Sequence, residues 1–172
     1  TADGNDNVYR IFESLNNTGL SLTQGDLLRN YLFMRLGQLG AGLYHSTWMP
    51  MQNRLTPKDL EQLFWIELSW SRSEIKQGDI YAGQVVRLNG LAPDEVKDAI
   101  IHFNELSVLL AAMRDPQKEA NLEIRFALRR LLTYGMSSTD PLVLRILELR
   151  RLGTVSVDSA SSALAVLKSF LV

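Results

Sequence analysis

A dense group of polar side chains near the start of the sequence has the residue types and spacing most suited to chemistry. Its members fall within about fifteen positions and are Asn16, Asn17, Thr18, Ser21, Thr23, Asp26, Arg29 and Asn30. If the flanking segments form a helical hairpin, the Asn16 amide and the Arg29 guanidinium could together hold phosphate oxygens or a base edge. The structural alternative is that Asn16 caps a helix and Arg29 pairs with Asp26 or Glu13 on a solvated face. The residue types alone favour this alternative.

The same stretch resembles the GmrSD-type restriction endonuclease N-terminal family, whose ParB/sulfiredoxin-like domain carries a DGQQR motif. The family also has an F-x-x-x-N motif within a longer pattern, and the chain matches that pattern at fixed spacing. The matching residues are Ile11, Phe12, Glu13, Leu15, Asn16, Gly19, Leu22, Asp26, Leu27, Arg29, Asn30, Tyr31, Leu32 and Phe33. Leu28 stands where the family commonly has Ile.

The resemblance implies a function. Family members bind and hydrolyse a nucleoside triphosphate with Mg²⁺, many carry a C-terminal HNH nuclease, and several recognise modified DNA in phage defence. The chain contains neither DGQQR nor a His-Asn-His arrangement. We therefore expect a fragment of an NTP-dependent, modification-sensing restriction protein of the cytoplasm, inactive by itself and with no cofactor bound. Its expected partners are DNA and the missing DGQQR-bearing and nuclease segments of the same chain.

The resemblance also assigns residues to the expected nucleotide site. Phe12 and Asn16 correspond to the F-x-x-x-N motif, and Asp26, Arg29 and Asn30 match the wider signature. The hypothesis from a different class is a non-catalytic helical module that binds DNA or a partner protein.

A second candidate site is a group of arginines in the last third of the chain: Arg125, Arg129, Arg130, Arg145, Arg150 and Arg151. Residues 122–151 hold these six arginines against three acidic residues, so the segment has a local charge of +3 in a chain of net charge −1. Clustered positive charge is what contact with a DNA backbone requires. The alternative is a solvated face whose arginine stems cover leucines and whose charges pair with nearby acids.

The composition excludes several other classes of site. The 172 residues include no cysteine and two histidines, so thiolate metal sites and three-histidine zinc sites are absent from this sequence. No apolar run approaches the roughly 20 residues that span a bilayer. The chain starts without Met and ends on an apolar segment, a pattern from which we expect a fragment.

The apolar residues recur at helical spacing almost throughout, and strand signals are poor. We predict an all-α bundle of about eight helices, the helical part of a larger α/β-containing protein. Thr23, with Asp26 three residues later, has the spacing of a capping box. Thr56 and Asp140 each precede a proline and are predicted to cap a helix.

Three glycines between positions 37 and 42 predict a break in the helical pattern. A hinge or a phosphate loop is one interpretation, but a plain linker is favoured because no strand precedes the glycines. The predicted organisation is a helical hairpin over 1–36 that ends the nucleotide-binding domain, a Gly-rich linker over 37–44, and a helical bundle over 45–172.

Overall fold

A computed structural model describes residues 22–72, 74–135 and 137–170 of the chain. All regular secondary structure in these ranges is helical, which confirms the predicted all-α class. The α-helices are α1 (Gln24–Leu36), α2 (Gly40–Leu43), α3 (Met49–Arg54), α4 (Pro57–Ser69), α5 (Ile80–Leu88), α6 (Pro93–Arg114), α7 (Leu122–Thr133), α8 (Asp140–Arg151) and α9 (Val157–Ser169). Within the described ranges, no helix has the length and apolarity needed to cross a membrane.

The chain divides into two compact units between Asn104 and Glu105, inside α6. This boundary differs from the predicted linker over 37–44. A continuous stripe of apolar residues (Val96, Ile100, Phe103, Leu106 and Leu110) runs past Asn104, so no break in the pattern marks the position.

The glycine-containing segment after α1, which was predicted as a linker, is helical. Gly37 ends α1 with φ of 52°, in the left-handed region that favours glycine. A 3₁₀ turn over Gly37–Leu39, helix α2 and a π-helical turn over Tyr44–Trp48 then lead directly into α3. A Cβ atom at Gly40 would lie 3.0 Å from Cδ1 of Phe33, so this glycine also permits close packing.

The core of the first unit is built on aromatic rings. Phe64 of α4 stacks on Trp48 at 5.8 Å between ring centroids and meets Phe103 of α6 edge-on at 5.0 Å. Phe33 of α1 packs edge-on against Trp48 at 5.6 Å. Trp48, Phe64 and Phe103 are fully buried. These contacts fix α1, α4 and the π-helical turn that leads into α3 relative to one another, and α1, α3 and α4 position the first candidate site.

The second unit contains the end of α6 with α7, α8 and α9. Its apolar core residues include Ile124, Leu128, Leu131, Val143, Leu144, Leu147, Ala160 and Leu164. Asn121 caps α7 by accepting hydrogen bonds from the backbone N–H groups of Glu123 and Ile124. Ser156 caps α9 in the same way. Helices α7 and α8 carry the arginines of the second candidate site.

The capping predictions differ in outcome. Thr23 and Asp26 form the predicted capping box of α1, and the Thr56 side chain caps α4 as expected. Asp140 does not cap α8, because Thr139 occupies the N-cap position and makes no side-chain capping bond. The Asp140 carboxylate is instead buried and lies 2.6 Å from Arg114, so a distant guanidinium has replaced the local backbone as its partner.

Candidate functional site

The predicted nucleotide residues are only partly within the described ranges. Phe12 and Asn16 lie outside them, so the predicted approach of Asn16 to Arg29 stays a prediction. Asp26, Arg29 and Asn30 all lie on the first two turns of α1. The structure brings the first two together and places the third elsewhere.

Asp26 is fully engaged in local structure. Its Oδ2 accepts hydrogen bonds from the Thr23 backbone N–H at 3.1 Å and from the Thr23 hydroxyl at 2.8 Å. Its Oδ1 lies 2.9 Å from Nη2 of Arg29. This carboxylate therefore stabilises the start of α1 and orients the arginine at the same time.

Arg29 is buried, with a side chain only 6% exposed. Its Nη1 donates to Oε1 of Gln52 at 3.2 Å, and its contact with Asp26 is an ion pair without hydrogen-bond alignment. Its Nε has no hydrogen-bond partner. The pairing with Asp26 agrees with the structural alternative, but the solvated face assumed there is wrong. A buried donor that is left free costs stability unless a ligand or water satisfies it.

Gln52 of α3 is held in one orientation by two donors. Its Oε1 accepts from Arg29 and from the indole Nε1 of Trp48, which lies at 3.2 Å. Both bonds use the amide oxygen. The two N–H groups of the amide nitrogen therefore have no hydrogen-bond partner among the described residues. A fixed amide of this kind can donate to a ligand at little entropic cost.

Glu61 of α4 contacts the N-terminal end of α1. Its Oε1 accepts the backbone N–H of Gly25 at 3.2 Å, which places a carboxylate at the positive end of α1. The N–H of Asp26 is bonded to the Thr23 hydroxyl. These two N–H groups at the start of α1 therefore already donate hydrogen bonds to protein oxygens.

These side chains line a pocket of about 190 Å³ in the first unit. Its lining residues are Thr23, Gly25, Asp26, Arg29, Trp48, Gln52, Pro57, Leu60 and Glu61. Two carboxylates and one guanidinium give the lining a formal charge of −1. Asn30 is not among the lining residues, although its Oδ1 is buried without a hydrogen-bond partner.

Sequence reasoning missed Gln52, Glu61 and the contribution of Trp48 to this pocket. Gln52 is 23 residues from Arg29, and Glu61 is 36 residues from Gly25. Neither residue stands at a spacing that predicts contact with α1. Only the packing of three helices brings them together.

The arginines of the second unit do not present one free positive surface. Arg150 makes a bidentate contact with buried Glu119, through Nη1 at 3.1 Å and Nη2 at 2.8 Å. Nε of Arg125 donates to the backbone oxygen of Glu119 at 2.7 Å. Arg145 lies 2.6 Å from Glu148, and Arg151 lies 3.0 Å from Glu105. These four side chains are held by partners inside the unit.

Arg129 and Arg130 differ from the other four. Both are exposed on α7, and neither has an acidic partner in the described part of the chain. The guanidinium of Arg130 lies 5.5 Å from the ring centroid of Phe126. Phe126 is 59% exposed, so this cation–π pair is accessible from solvent.

The described residues contain no group of three or more His, Asp or Glu side chains placed to hold a metal ion. Comparison of the chain with protein-family models, with curated proteins and with solved structures finds no match.

Proposed function

We propose that the chain is part of an NTP-dependent, modification-sensing restriction protein and that the Arg29 pocket holds the nucleoside portion of the nucleotide. The observation that carries the site is the buried Arg29 guanidinium, whose Nε is unpartnered in a lining that also offers a fixed amide. The resemblance around Phe12 and Asn16 supports the protein class.

The chemistry of the pocket favours a base edge or a ribose over a triphosphate. The formal charge of −1 repels phosphate, and Thr23 and Glu61 already satisfy two N–H groups at the start of α1. A base edge instead carries both donors and acceptors. It can accept from Arg29 and Gln52 and can donate to a carboxylate such as Glu61.

The volume is consistent with one portion of a nucleotide. Sites that enclose a whole small ligand usually measure roughly 300–1,000 Å³, whereas this pocket measures about 190 Å³. In the proposal, the DGQQR-bearing segment, together with Phe12 and Asn16, supplies the rest of the site. Asn16 would bond the nucleotide or position a water molecule.

The residues around this pocket fit Mg²⁺ poorly. The ion needs oxygen ligands that are free to turn toward it, but both carboxylate oxygens of Asp26 are engaged. In the proposal, Mg²⁺ is held with the triphosphate by residues outside the described ranges, where it would neutralise phosphate charge.

The test is calorimetric titration of the protein that contains this chain with ATP, GTP, CTP and UTP. Arg29→Met keeps the apolar stem and removes every donor, so affinity for the preferred nucleotide should fall about 10- to 100-fold, the value of one charge-assisted hydrogen bond. Met34→Ala, on the exposed side of the same helix, is the control and should leave affinity unchanged.

The possible outcomes separate the two parts of the proposal. If none of the four nucleotides binds the parent protein, the NTP-dependent function is overturned. If a nucleotide binds equally well to the unsubstituted protein and to a folded Arg29→Met variant, only the assignment of this pocket fails. An Asn16→Ala variant with normal affinity and turnover would remove Asn16 from the site.

A further inference from the structure

The second unit carries a stripe of large, exposed side chains along one face of α7. Leu122 is 72% exposed, Phe126 is 59% exposed and Tyr134, which follows the helix, is 43% exposed. Arg130 completes the series at the same spacing of four residues. Residues four apart are neighbours on a helix surface, so these side chains form a continuous, inclined row about 18 Å long at 1.5 Å per residue.

A shallow groove of about 70 Å³ runs beside the stripe, between α7 and α9. Ala127, Leu164 and Ala165 give the groove an apolar lining, and Ser161 adds a second small side chain of α9. Small residues at such positions allow another helix to approach closely. The groove can therefore receive a large apolar side chain from outside.

The edges of the groove are mainly basic. Arg130 and Lys168 line it, and Arg129 is exposed next to Arg130. Lys168 Nζ lies 5.7 Å from the ring centroid of Tyr134, so each aromatic ring of the stripe has its own cation. Glu123 is the acidic residue among those lining the groove.

We propose that this face, formed by Leu122, Phe126, Arg130, Tyr134 and Lys168, binds an amphipathic α-helix of a partner protein whose apolar side is flanked by Asp and Glu. The apolar side contacts Leu122 and Phe126 and places one side chain in the groove. The flanking carboxylates pair with Arg130, with Lys168 and with the adjacent Arg129. This is the helix-in-groove mode of recognition, and it explains why large apolar groups are exposed beside a basic edge.

The same face suits a nucleic acid less well. Glu123 lies among the groove residues, where it repels phosphate. The side chains of Ala127, Leu164 and Ala165 offer no donor to a phosphate or a base. Stacking of bases would use Phe126 and Tyr134 but would leave Leu122 and the groove unused.

The experiment uses the 172-residue chain and synthetic amphipathic helices of about 18 residues, long enough to cover the stripe. One peptide has leucines at helical spacing flanked by Glu, and a second has Lys at the same flanking positions. Fluorescence anisotropy should show binding of the Glu peptide at least about tenfold tighter than that of the Lys peptide, because of charge complementarity.

Two variants of the chain test the surface directly. Phe126→Ser should weaken binding of the Glu peptide by about tenfold or more, the value of one buried aromatic contact. Arg130→Glu combined with Lys168→Glu should reverse the preference between the two peptides. Leu142→Ser, at an exposed leucine of α8, is the control and should bind as the parent does.

A reversed preference in a variant with an unchanged circular dichroism spectrum supports the proposal even if Phe126→Ser fails to fold. Equal binding of both peptides to the unsubstituted chain overturns it, as does failure of the Glu peptide to bind. Tighter binding of an oligothymidine of about 20 nucleotides than of the Glu peptide, lost in Phe126→Ser, overturns it in favour of single-stranded nucleic acid.

Discussion

Gln52 and Arg29 lie 23 residues apart in the sequence, yet the amide oxygen of Gln52 accepts a hydrogen bond from Nη1 of Arg29 at 3.2 Å. The same oxygen accepts the indole N–H of Trp48, a side chain that is 1% exposed. One exposed glutamine therefore satisfies two buried donors. Its amide joins the polar residues of α1 to the aromatic core of the first unit.

The first prediction concerns this amide. Gln52→Leu leaves both donors without an acceptor, and a buried donor without a partner costs about 1–3 kcal/mol. We expect the free energy of unfolding, measured by urea denaturation, to fall by about 2 kcal/mol, since the apolar leucine offsets part of the loss.

Asn53→Leu provides the matched control, because Asn53 is an exposed neighbour on the same helix. Its effect should stay within about 0.5 kcal/mol. Equal effects of the two substitutions would show that the Gln52 hydrogen bonds contribute nothing to stability.

A second prediction concerns the buried ion pair of the second unit. Glu119 is 6% exposed, and its carboxylate accepts hydrogen bonds from both terminal nitrogens of Arg150. Glu119→Ala leaves a guanidinium that is mostly buried and unpaired, which costs about 3 kcal/mol, the lower end of the range for such pairs. The lower end applies because the Arg150 side chain retains 17% exposure. Thermal unfolding should show a loss of about 6–12 °C.

Lys118, next to Glu119 in the sequence, forms an exposed ion pair that serves as the comparison for the buried one. Lys118 lies 3.8 Å from Asp115, and both side chains are about half exposed. Lys118→Ala should change the free energy of unfolding by less than about 0.5 kcal/mol. If Glu119→Ala were as mild as Lys118→Ala, burial would not distinguish the two ion pairs.

Thr56 supports a third prediction. Its hydroxyl accepts the backbone N–H of Asp59 at 3.1 Å and donates to the Asp59 carboxylate at 2.7 Å. Thr56→Ala removes the cap of α4 and should cost about 1 kcal/mol in urea denaturation. Thr56→Ser retains the hydroxyl and should recover most of that loss, which a purely steric role of the threonine would not produce.

These residues also show what the sequence can predict. The caps formed by Thr23 and Thr56 depend on a partner three residues away, so local spacing was enough to find them. The helical class follows from the apolar period in the same way. Asp140 also precedes a proline, which predicts a helix cap. Its carboxylate instead accepts a hydrogen bond from Arg114, 26 residues earlier in the chain.

The pocket and the division of the chain depend on long-range packing. Gln52 and Glu61 reach α1 only because Trp48, Phe64 and Phe33 pack together, and no spacing rule encodes that contact. The structural reason for a glycine also depends on long-range packing. The sequence shows that Gly40 lacks a side chain, but only the approach of Phe33 shows why a side chain would not fit easily.

The last prediction separates two roles of glycine. A Cβ atom at Gly83 of α5 would lie 2.5 Å from Cδ2 of Leu68, whose side chain is fully buried and has little room to move. Gly83→Ala should therefore destabilise the chain by about 1–3 kcal/mol through overpacking. At Gly42 of α2 a Cβ would meet nothing within 4 Å, so Gly42→Ala should stabilise the chain by about 0.5–1 kcal/mol through the entropy of the unfolded state. Opposite signs in parallel urea titrations are the expected result, and stabilisation by both substitutions would contradict the close packing of α5 on α4.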